Sequence, residues 1–286
     1  MKAYQDASLA PVRRAKALLE EMTRAEKIGQ LNQRLYGFRI YERKCVNGED
    51  TIELSEEFCQ EVEKYSGLGV LYGLYRADPW ADKNYETGLT GVLSKKAYNQ
   101  VQRYVLEHSR LGIPVMMSSE CPHGHQALDG YLLPVNLLAG ATFDPAMVRA
   151  AYRVSGRQLQ NMGVDLALMS MLDVLRDPRW GRSEECYSED PYLSARMAEA
   201  AVIGMQESGP EVVAKHFAAQ GEGTGGVNAS AARIGERELR EIHFPPAAAA
   251  IKAGAKGIMA AYNEIDGVYC LSLIHISEPT RRTPIS

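Results

Sequence analysis

Four apolar runs recur along the chain at nearly regular intervals. They begin at residues 113, 164, 211 and 255, so their starts are 51, 47 and 44 residues apart. The clearest helix-like stretches lie between them, over residues 144–161, 191–206 and 236–252. Apolar runs that alternate with amphipathic helices are typical of parallel strands joined by crossover helices. The pattern therefore predicts an α/β fold built from a βα repeat.

This repeat fits a TIM (β/α)8-type barrel better than a doubly wound sheet. An earlier apolar run over residues 69–75 extends the series toward the N-terminus. No Gly-x-Gly-x-x-Gly follows a first strand, so the dinucleotide-binding sequence of many doubly wound sheets is missing. The N-terminal segment to about residue 33 is predicted to be helical, with Thr23 and Glu26 as a capping box. Residues 40–66 are polar and give no clear pattern.

Charge and cysteine usage restrict the classes of partner and compartment. The formal net charge is −4, so neither a nucleic acid nor an anionic membrane surface is implied as a partner. No apolar run approaches the roughly 20 residues that span a bilayer, and the N-terminus has no secretory-type apolar stretch. The five cysteines form no Cys-x-x-Cys pair, which predicts free thiols in a reducing cytoplasm. The sequence gives no signal of oligomeric state.

The ends of the predicted strands carry polar side chains. In a TIM barrel the functional residues lie at the C-terminal ends of the strands. Glu120 ends one apolar run, and the charged segment "RDPRWGRSEECYSED" with Arg182 follows the next. The neighbours Lys215 and His216 lie near the end of the third run, and Tyr262 lies at the end of the fourth. These positions are therefore the candidates for binding hydroxyl groups or charge.

Each candidate also has an interpretation without a ligand. Lys215 can be a buried lysine paired with a carboxylate, and His216 a structural histidine, because a lysine is rarely buried without a partner. The glycine-rich segment "GEGTGG" over residues 221–226 could hold a phosphate, but it lacks the Gly-Lys-Ser/Thr ending of a P-loop, and a mobile loop is favoured. Acidic residues are numerous, and their abundance alone does not identify the two carboxylates that glycoside hydrolysis needs.

A metal site is a further alternative. Cys121, His123 and His125 in "ECPHGH" have the spacing of metal ligands, and a catalytic zinc ion needs three protein ligands and an open position. Pro122 and Gly124, however, place these residues in a turn, and no fourth partner is evident. We therefore expect no metal and no cofactor, and a metal-dependent hydrolase remains an alternative function.

Taken together, several motifs resemble one enzyme family. They are "MTRAEKIGQL", "LGIPVMMSSECPHG", "RDPRWGRSEECYSEDP", "VVAKHFA", "ELREIHFPP" and "MAAYNEIDGVYC", in that order. In this order they are similar to the N-terminal barrel domain of glycoside hydrolase family 3, which includes β-glucosidases, β-xylosidases and β-hexosaminidases. The resemblance implies a retaining glycosidase that acts on β-glucosides or β-xylosides, with a small-molecule or oligosaccharide substrate.

The resemblance also implies roles for the strand-end residues. Arg182, Lys215 and His216 look like hydrogen-bonding partners of the bound sugar. Glu120 stands where the family usually has an aspartate that binds the outer hydroxyls, and Tyr262 resembles the tyrosine beneath the reaction centre. Trp180 is expected to pack the loop, and Asp177 to pair with Arg179.

Besides Glu120, the sequence departs from the family pattern in two respects, which concern the nucleophile and the acid. After Cys270 the pattern stops, so residues 1–270 are interpreted as a truncated barrel domain without its last strands, and residues 271–286 as a non-family tail and a sequence artefact. The family's nucleophile, an aspartate in a Ser-Asp-Trp-like context on the next strand, has no counterpart. Gln220 stands where the hexosaminidases of the family have a second histidine, which disfavours that subgroup. In the glucosidase and xylosidase subgroups the catalytic acid comes from a second domain. We therefore expect this chain to be inactive alone. A non-catalytic sugar-binding protein is the alternative.

Overall fold

A computed structural model describes residues 2–272, with the backbone alone at residue 170. The chain divides into two compact units. The first comprises Met1–Ser119 and Ala127–Asp129, and the second comprises Glu120–Gln126 and the chain from Gly130 onward. The tail predicted from residue 271 lies outside the described residues except for its first two positions.

The first unit begins with two helices rather than one. Helix α1 (Pro11–Glu21) ends before Thr23, and α2 (Arg24–Gln30) begins after it. The Thr23 hydroxyl accepts the N–H of Glu26, and the Glu26 carboxylate accepts the N–H of Thr23. This is the capping box predicted from the sequence, and it satisfies two backbone donors at the start of α2.

The ambiguous residues 40–66 form a hairpin and a helix. Strand β1 (Tyr41–Val46) pairs antiparallel with β2 (Glu49–Leu54), and α3 (Glu56–Tyr65) follows. Two further strands then pair in parallel, with Val70 opposite Met116. These strands and the helix between them are β3 (Val70–Tyr72), α4 (Gly91–Glu107) and β4 (Met116–Glu120). The crossover by α4 between two parallel strands is the βα repeat predicted from the sequence.

The second unit continues the repeat. Its three strands are parallel and lie in chain order: β5 (Leu166–Met171), β6 (Glu211–Phe217) and β7 (Gly257–Ala260). Its helices are α5 (Asn136–Gly140), α6 (Pro145–Asn161), α7 (Pro191–Gln206), α8 (Glu236–Glu238) and α9 (Phe244–Lys252). A short antiparallel pair follows, β8 (Glu264–Ile265) with β9 (Val268–Tyr269). The segment after β4 joins this unit through a hydrogen bond from the Cys121 N–H to the Leu168 carbonyl.

Two predicted elements differ from the observed ones. The apolar run that starts at residue 164 continues to Leu175, but β5 ends at Met171. Leu172 and Leu175 are buried outside the strand, where the Leu175 N–H donates to the Ser188 carbonyl. The predicted helix over residues 236–252 is interrupted by a π-helical turn at Leu239–His243. Burial alone does not distinguish a strand from apolar loop residues that pack beneath a following loop.

Glycine allows α6 and α7 to approach closely. A Cβ atom on Gly204 of α7 would lie 2.2 Å from the carbonyl oxygen of Arg149 in α6. We expect Gly204→Ala to lower the free energy of unfolding by roughly 1–2 kcal/mol, because overpacking costs about 1–3 kcal/mol and exceeds the gain of about 1 kcal/mol in helix propensity. Urea unfolding measures this change. Gly235→Ala is the control, since its Cβ would meet no atom within 4 Å. Equal stabilities for the two variants would contradict the close packing.

No helix among residues 2–272 is long and apolar enough to cross a bilayer. The five cysteines are all free thiols, and Cys121, Cys186 and Cys270 are buried. The free thiols agree with the absence of a Cys-x-x-Cys pair in the sequence.

Candidate functional site

Lys215 is buried near the C-terminal end of β6 and pairs with Glu120. Its side chain is 3 % exposed, and its Nζ lies 2.5 Å from Oε2 of Glu120, whose side chain is 14 % exposed. Glu120 is the last residue of β4. A lone buried ammonium group would carry a large desolvation penalty, which the paired carboxylate offsets. The two strand ends therefore present one ion pair, with donors on Lys215 and acceptors on Glu120.

His216 is the neighbour of Lys215 and pairs with a different carboxylate. Adjacent residues of a regular strand point to opposite faces, but the pairing of β6 with β7 shifts register between Lys215 and Phe217. Both side chains are buried and both have a polar partner. Nδ1 of His216 lies 2.8 Å from Oδ2 of Asp173, a buried residue that follows β5. The irregularity at the strand end thus accommodates two polar neighbours.

Asp173 accepts hydrogen bonds from two backbone groups as well. Its Oδ2 accepts the N–H of His216 at 3.2 Å, and its Oδ1 accepts the N–H of Gly221 at 3.2 Å. Burial raises the pKa of Asp173, but these hydrogen bonds and the imidazole of His216 outweigh burial, so the pKa is lowered overall. The carboxylate is therefore ionised and fully engaged with protein donors.

The pKa of His216 is also lowered. Burial is the largest cause, and the positive charges of Arg182 and Lys215 add to it, whereas Asp173 acts in the opposite direction. A histidine whose pKa falls below its usual value is neutral at neutral pH. The pair thus consists of an ionised carboxylate and a neutral imidazole.

Arg182 lies within electrostatic reach of both pairs. Its Nε lies 2.5 Å from Oε1 of Glu185, and its Nη2 lies 2.8 Å from Oε2, so the ion pair is bidentate. Burial lowers the pKa of Arg182, but the hydrogen bonds to Glu185 and the charges of Glu185, Asp173 and Glu120 outweigh it and raise the pKa. A bidentate pair fixes the guanidinium plane, so Arg182 is held in one orientation beside the strand ends.

The loop that carries Arg182 is anchored by Trp180. Trp180 is 2 % exposed and belongs to a core cluster whose other members are Met171, Leu175 and Cys186. Its indole N–H donates to Oδ1 of Asn228 at 3.1 Å. The prediction that Trp180 packs the loop is therefore confirmed. The Asp177 carboxylate pairs with the Arg179 guanidinium at 2.7 Å, as predicted.

Tyr262 is the most exposed of the candidates, at 60 %. It follows β7, and its ring centroid lies 6.2 Å from that of His216. Its backbone N–H donates to Oε1 of Gln220. Gln220 is buried, and its amide N–H in turn donates to Asn228. The glutamine that replaces the second histidine of the hexosaminidases thus has a structural role in joining three segments.

Three of the five sequence candidates, Glu120, Lys215 and His216, lie at or near the ends of β4 and β6, whereas Tyr262 follows β7 and Arg182 lies in the loop after β5. Glu120, Lys215, His216 and Arg182 are linked by hydrogen bonds or by their charges, and Tyr262 lies next to His216. Their roles in binding a sugar remain predictions. Sequence reasoning missed Asp173 as a site residue. An acidic residue between two buried apolar neighbours, Leu172 and Val174, is the signal that could have identified it.

The glycine-rich loop does not have the geometry of a phosphate cradle. The N–H groups of four of its residues donate to protein acceptors, namely Gly221, Glu222, Thr224 and Gly226. A phosphate cradle needs such N–H groups to point at the ligand.

The metal alternative is not supported either. No group of three or more His, Cys, Asp or Glu side chains in the described part of the chain could hold a metal ion. Burial raises the pKa of the Cys121 thiol to about 12 and lowers that of His125 to about 4. A thiol ligand must be deprotonated to bind a metal, and burial of Cys121 opposes that.

Comparison with known proteins places the chain in a family. The model for the glycosyl hydrolase family 3 N-terminal domain matches residues 23–278. The chain belongs to glycosyl hydrolase family 3. A β-xylosidase of Formosa agariphila is 32 % identical over 68 % of the chain, and a periplasmic β-glucosidase of Salmonella typhimurium is 29 % identical over 87 %.

Solved structures of two β-glucosidases share this fold. A β-glucosidase from Erythrobacter marinus is 31 % identical over 94 % of the chain and 34 % of its own, with a TM-score of 0.77. A β-glucosidase from Listeria innocua, solved in complex with glucose, is 28 % identical over 93 % of the chain and 35 % of its own, with a TM-score of 0.75. The predicted fold class is therefore confirmed: β3 to β7 are five strands of a TIM-type barrel, which is incomplete within residues 2–272.

The chain spans about a third of the length of the curated relatives that it matches, namely 34 %, 29 % and 29 % of the first three.

Proposed function

We propose that this chain provides the sugar-binding subsite of a retaining glycosidase that hydrolyses O-glycosyl bonds of β-glucosides or β-xylosides. The observation that carries the proposal is the set of charged donors and acceptors at the strand ends: the Lys215–Glu120 and His216–Asp173 pairs with Arg182 within electrostatic reach. A pyranose has vicinal hydroxyl groups that both donate and accept. Charged partners form the stronger, directional hydrogen bonds that such hydroxyls need.

The similar proteins support this substrate class. The names β-xylosidase and β-glucosidase recur among the relatives, and the Listeria innocua β-glucosidase was solved with glucose and, as a mutant, with laminaribiose. Glucose and xylose differ by one hydroxymethyl group, and the proposal covers both sugars.

In a retaining reaction one carboxylate attacks the anomeric carbon and forms a glycosyl-enzyme, while another group acts as acid and then as base. The carboxylates of Asp173 and Glu120 are already bound to other protein groups. Asp173 accepts three protein hydrogen bonds, and Glu120 is paired with Lys215. No aspartate in the sequence stands in a Ser-Asp-Trp-like context. We therefore propose that this 286-residue polypeptide binds and orients the sugar but does not cleave it.

Sugar binding and turnover can be measured separately on the purified chain. We expect calorimetry to detect glucose or xylose, and we expect no turnover of aryl β-glycosides above background. Arg182→Lys is expected to weaken binding at least about tenfold, because a hydrogen bond to a charged group contributes roughly 1.5–3 kcal/mol. Lysine cannot reproduce the bidentate contact with Glu185.

Arg196→Lys is the matched control for this experiment. Arg196 also pairs with a glutamate three residues later, Glu199, but on the surface of α7. Binding should be unchanged in this variant. Equal loss of binding in both variants, or no binding by the unmodified chain, would contradict the proposed subsite. Turnover of an aryl glycoside would contradict the proposed inactivity of the chain.

A non-catalytic sugar-binding protein is the second candidate. This candidate is favoured because the carboxylates of Asp173 and Glu120 are both engaged with protein partners. A longer polypeptide that binds glucose or xylose without hydrolysing aryl glycosides would support this candidate over the glycosidase.

A further inference from the structure

The buried carboxylate of Asp173 forms hydrogen bonds with three protein groups, two of which belong to His216. Two of them are backbone N–H groups, those of His216 and Gly221, which have no freedom to become acceptors. The third partner is Nδ1 of His216. The carboxylate is buried, and its pKa is lowered by these partners despite burial. An ionised carboxylate can only accept hydrogen bonds, so Nδ1 carries a proton.

The state of the other ring nitrogen follows from this assignment. Burial, Arg182 and Lys215 together lower the pKa of His216 in spite of Asp173, so the imidazole is neutral. A neutral imidazole has one N–H group, and the other nitrogen is an acceptor. No group that the structure describes hydrogen-bonds to Nε2. Nε2 therefore presents a lone pair that is available to a ligand.

This acceptor complements its neighbours. Lys215 and Arg182 can only donate hydrogen bonds, and an ionised Glu120 can only accept them. Glu120 already has the Lys215 ammonium 2.5 Å from Oε2. A neutral His216 therefore adds an acceptor of a different kind, uncharged and fixed in direction, on the same strand end as Lys215.

We infer that Asp173 is a positioning residue that holds His216 as the Nδ1–H tautomer, so that Nε2 selects a sugar hydroxyl group that donates a hydrogen bond to it. The second half of this inference rests on the proposed sugar-binding function, and the first half does not. An aspartate that fixes a histidine tautomer in this way is well established for hydrolytic triads, where aspartate-to-asparagine replacement preserves the geometry but yields the wrong tautomer.

Nitrogen NMR of the uniformly ¹⁵N-labelled chain, without sugar and at neutral pH, tests the tautomer directly. We expect His216 to show a protonated Nδ1 and an unprotonated Nε2 in correlations between the ring nitrogens and ring protons. The chain has six histidines, so the signals of His216 are assigned by their loss in His216→Gln. A protonated Nε2, or two protonated nitrogens, would overturn the inference. This measurement needs no altered Asp173 and no ligand.

Asp173→Asn tests the cause of the tautomer. Asparagine has one acceptor oxygen where aspartate has two, so it cannot serve both backbone donors and Nδ1. We expect the His216 signals to move toward protonated Nε2 or a mixture of tautomers. Asp190→Asn is the control, because Asp190 also accepts two backbone N–H groups, those of Tyr192 and Leu193, at the start of α7. Asp173→Ala removes both acceptor oxygens, and an unchanged His216 tautomer in folded Asp173→Asn and folded Asp173→Ala would refute the positioning role.

Fluorinated sugars test the selection of a donor. Fluorine in place of a hydroxyl group cannot donate a hydrogen bond, so one of the monofluoro derivatives of glucose should bind the unmodified chain about tenfold more weakly than glucose, as the loss of one hydrogen bond implies. His216→Ala should lose most of this discrimination. Equal affinities for glucose and every monofluoro derivative would refute the selection. If no sugar binds at all, the proposed function is wrong, whereas the nitrogen spectra still decide the tautomer.

Discussion

Lys215→Met is expected to lower the free energy of unfolding by roughly 3–5 kcal/mol and to abolish detectable binding of glucose or xylose. The loss of stability follows because the variant removes the ammonium group that Glu120 contacts at the end of β4, and breaking a buried ion pair from one side has a cost of this order. The loss of binding follows because the ammonium is a donor of the proposed subsite. Urea unfolding and calorimetry measure the two effects.

The double variant Lys215→Met with Glu120→Gln separates these two effects. It removes both charges, so much of the stability should return, since replacing both partners of a buried pair is far less harmful than removing one. Sugar binding should remain lost. A double variant no more stable than Lys215→Met would show that the pair at 2.5 Å does not stabilise the fold.

Trp180→Ala is expected to lower the free energy of unfolding by roughly 3–5 kcal/mol, as is usual when a buried aromatic side chain is truncated. The variant would leave a cavity among Met171, Leu175 and Cys186 and would remove the hydrogen bond to Asn228. The loop with Arg182 rests on this cluster, and its guanidinium lies 5.8 Å from the Trp180 ring. Sugar binding should therefore weaken by more than tenfold.

The second tryptophan provides the matched control. Trp80 is 48 % exposed and belongs to the first unit, so Trp80→Ala should destabilise the chain much less and leave sugar binding unchanged. Trp80→Phe leaves Trp180 as the sole tryptophan of the chain, and its fluorescence then reports on the loop cluster during unfolding and sugar titration. A loss of stability below about 1 kcal/mol in Trp180→Ala would mean that the cluster is not closely packed.

The barrel repeat could be predicted because its signals are local. The apolar runs predicted β3 to β7 as strands, and the capping box at Thr23 and Glu26 predicted the start of α2. The boundaries were less accurate. Leu172, Val174 and Leu175 are as buried as strand residues, yet β5 ends at Met171, and Leu175 packs in the cluster of Trp180. A hydrophobic pattern indicates that residues are buried, but both strand residues and loop residues can be buried.

The candidate site could be predicted residue by residue, but the partners of its residues could not. Lys215 and Glu120 are 95 residues apart, and His216 and Asp173 are 43 residues apart. A spacing of that size carries no information about contact unless the strand order is known. The ends of parallel strands meet at one edge of the sheet, so the topology supplies what the spacing cannot. The neutral state of His216 follows from burial and from its charged neighbours, which only the folded chain defines.

Gln220 has a consequence for how this family member could acquire new chemistry. Its amide accepts the N–H of Tyr262 and donates to Asn228, which also receives the indole N–H of Trp180. The loops after β5, β6 and β7 thus share one hydrogen-bonded brace. A histidine that acts as an acid there would carry protons on both ring nitrogens, and in that form it could only donate and could not accept the N–H of Tyr262. In this chain a gain of acid catalysis at position 220 would therefore require a second substitution that restores the hydrogen bonds between the loops. Acid catalysis and loop stability are thus coupled in its evolution.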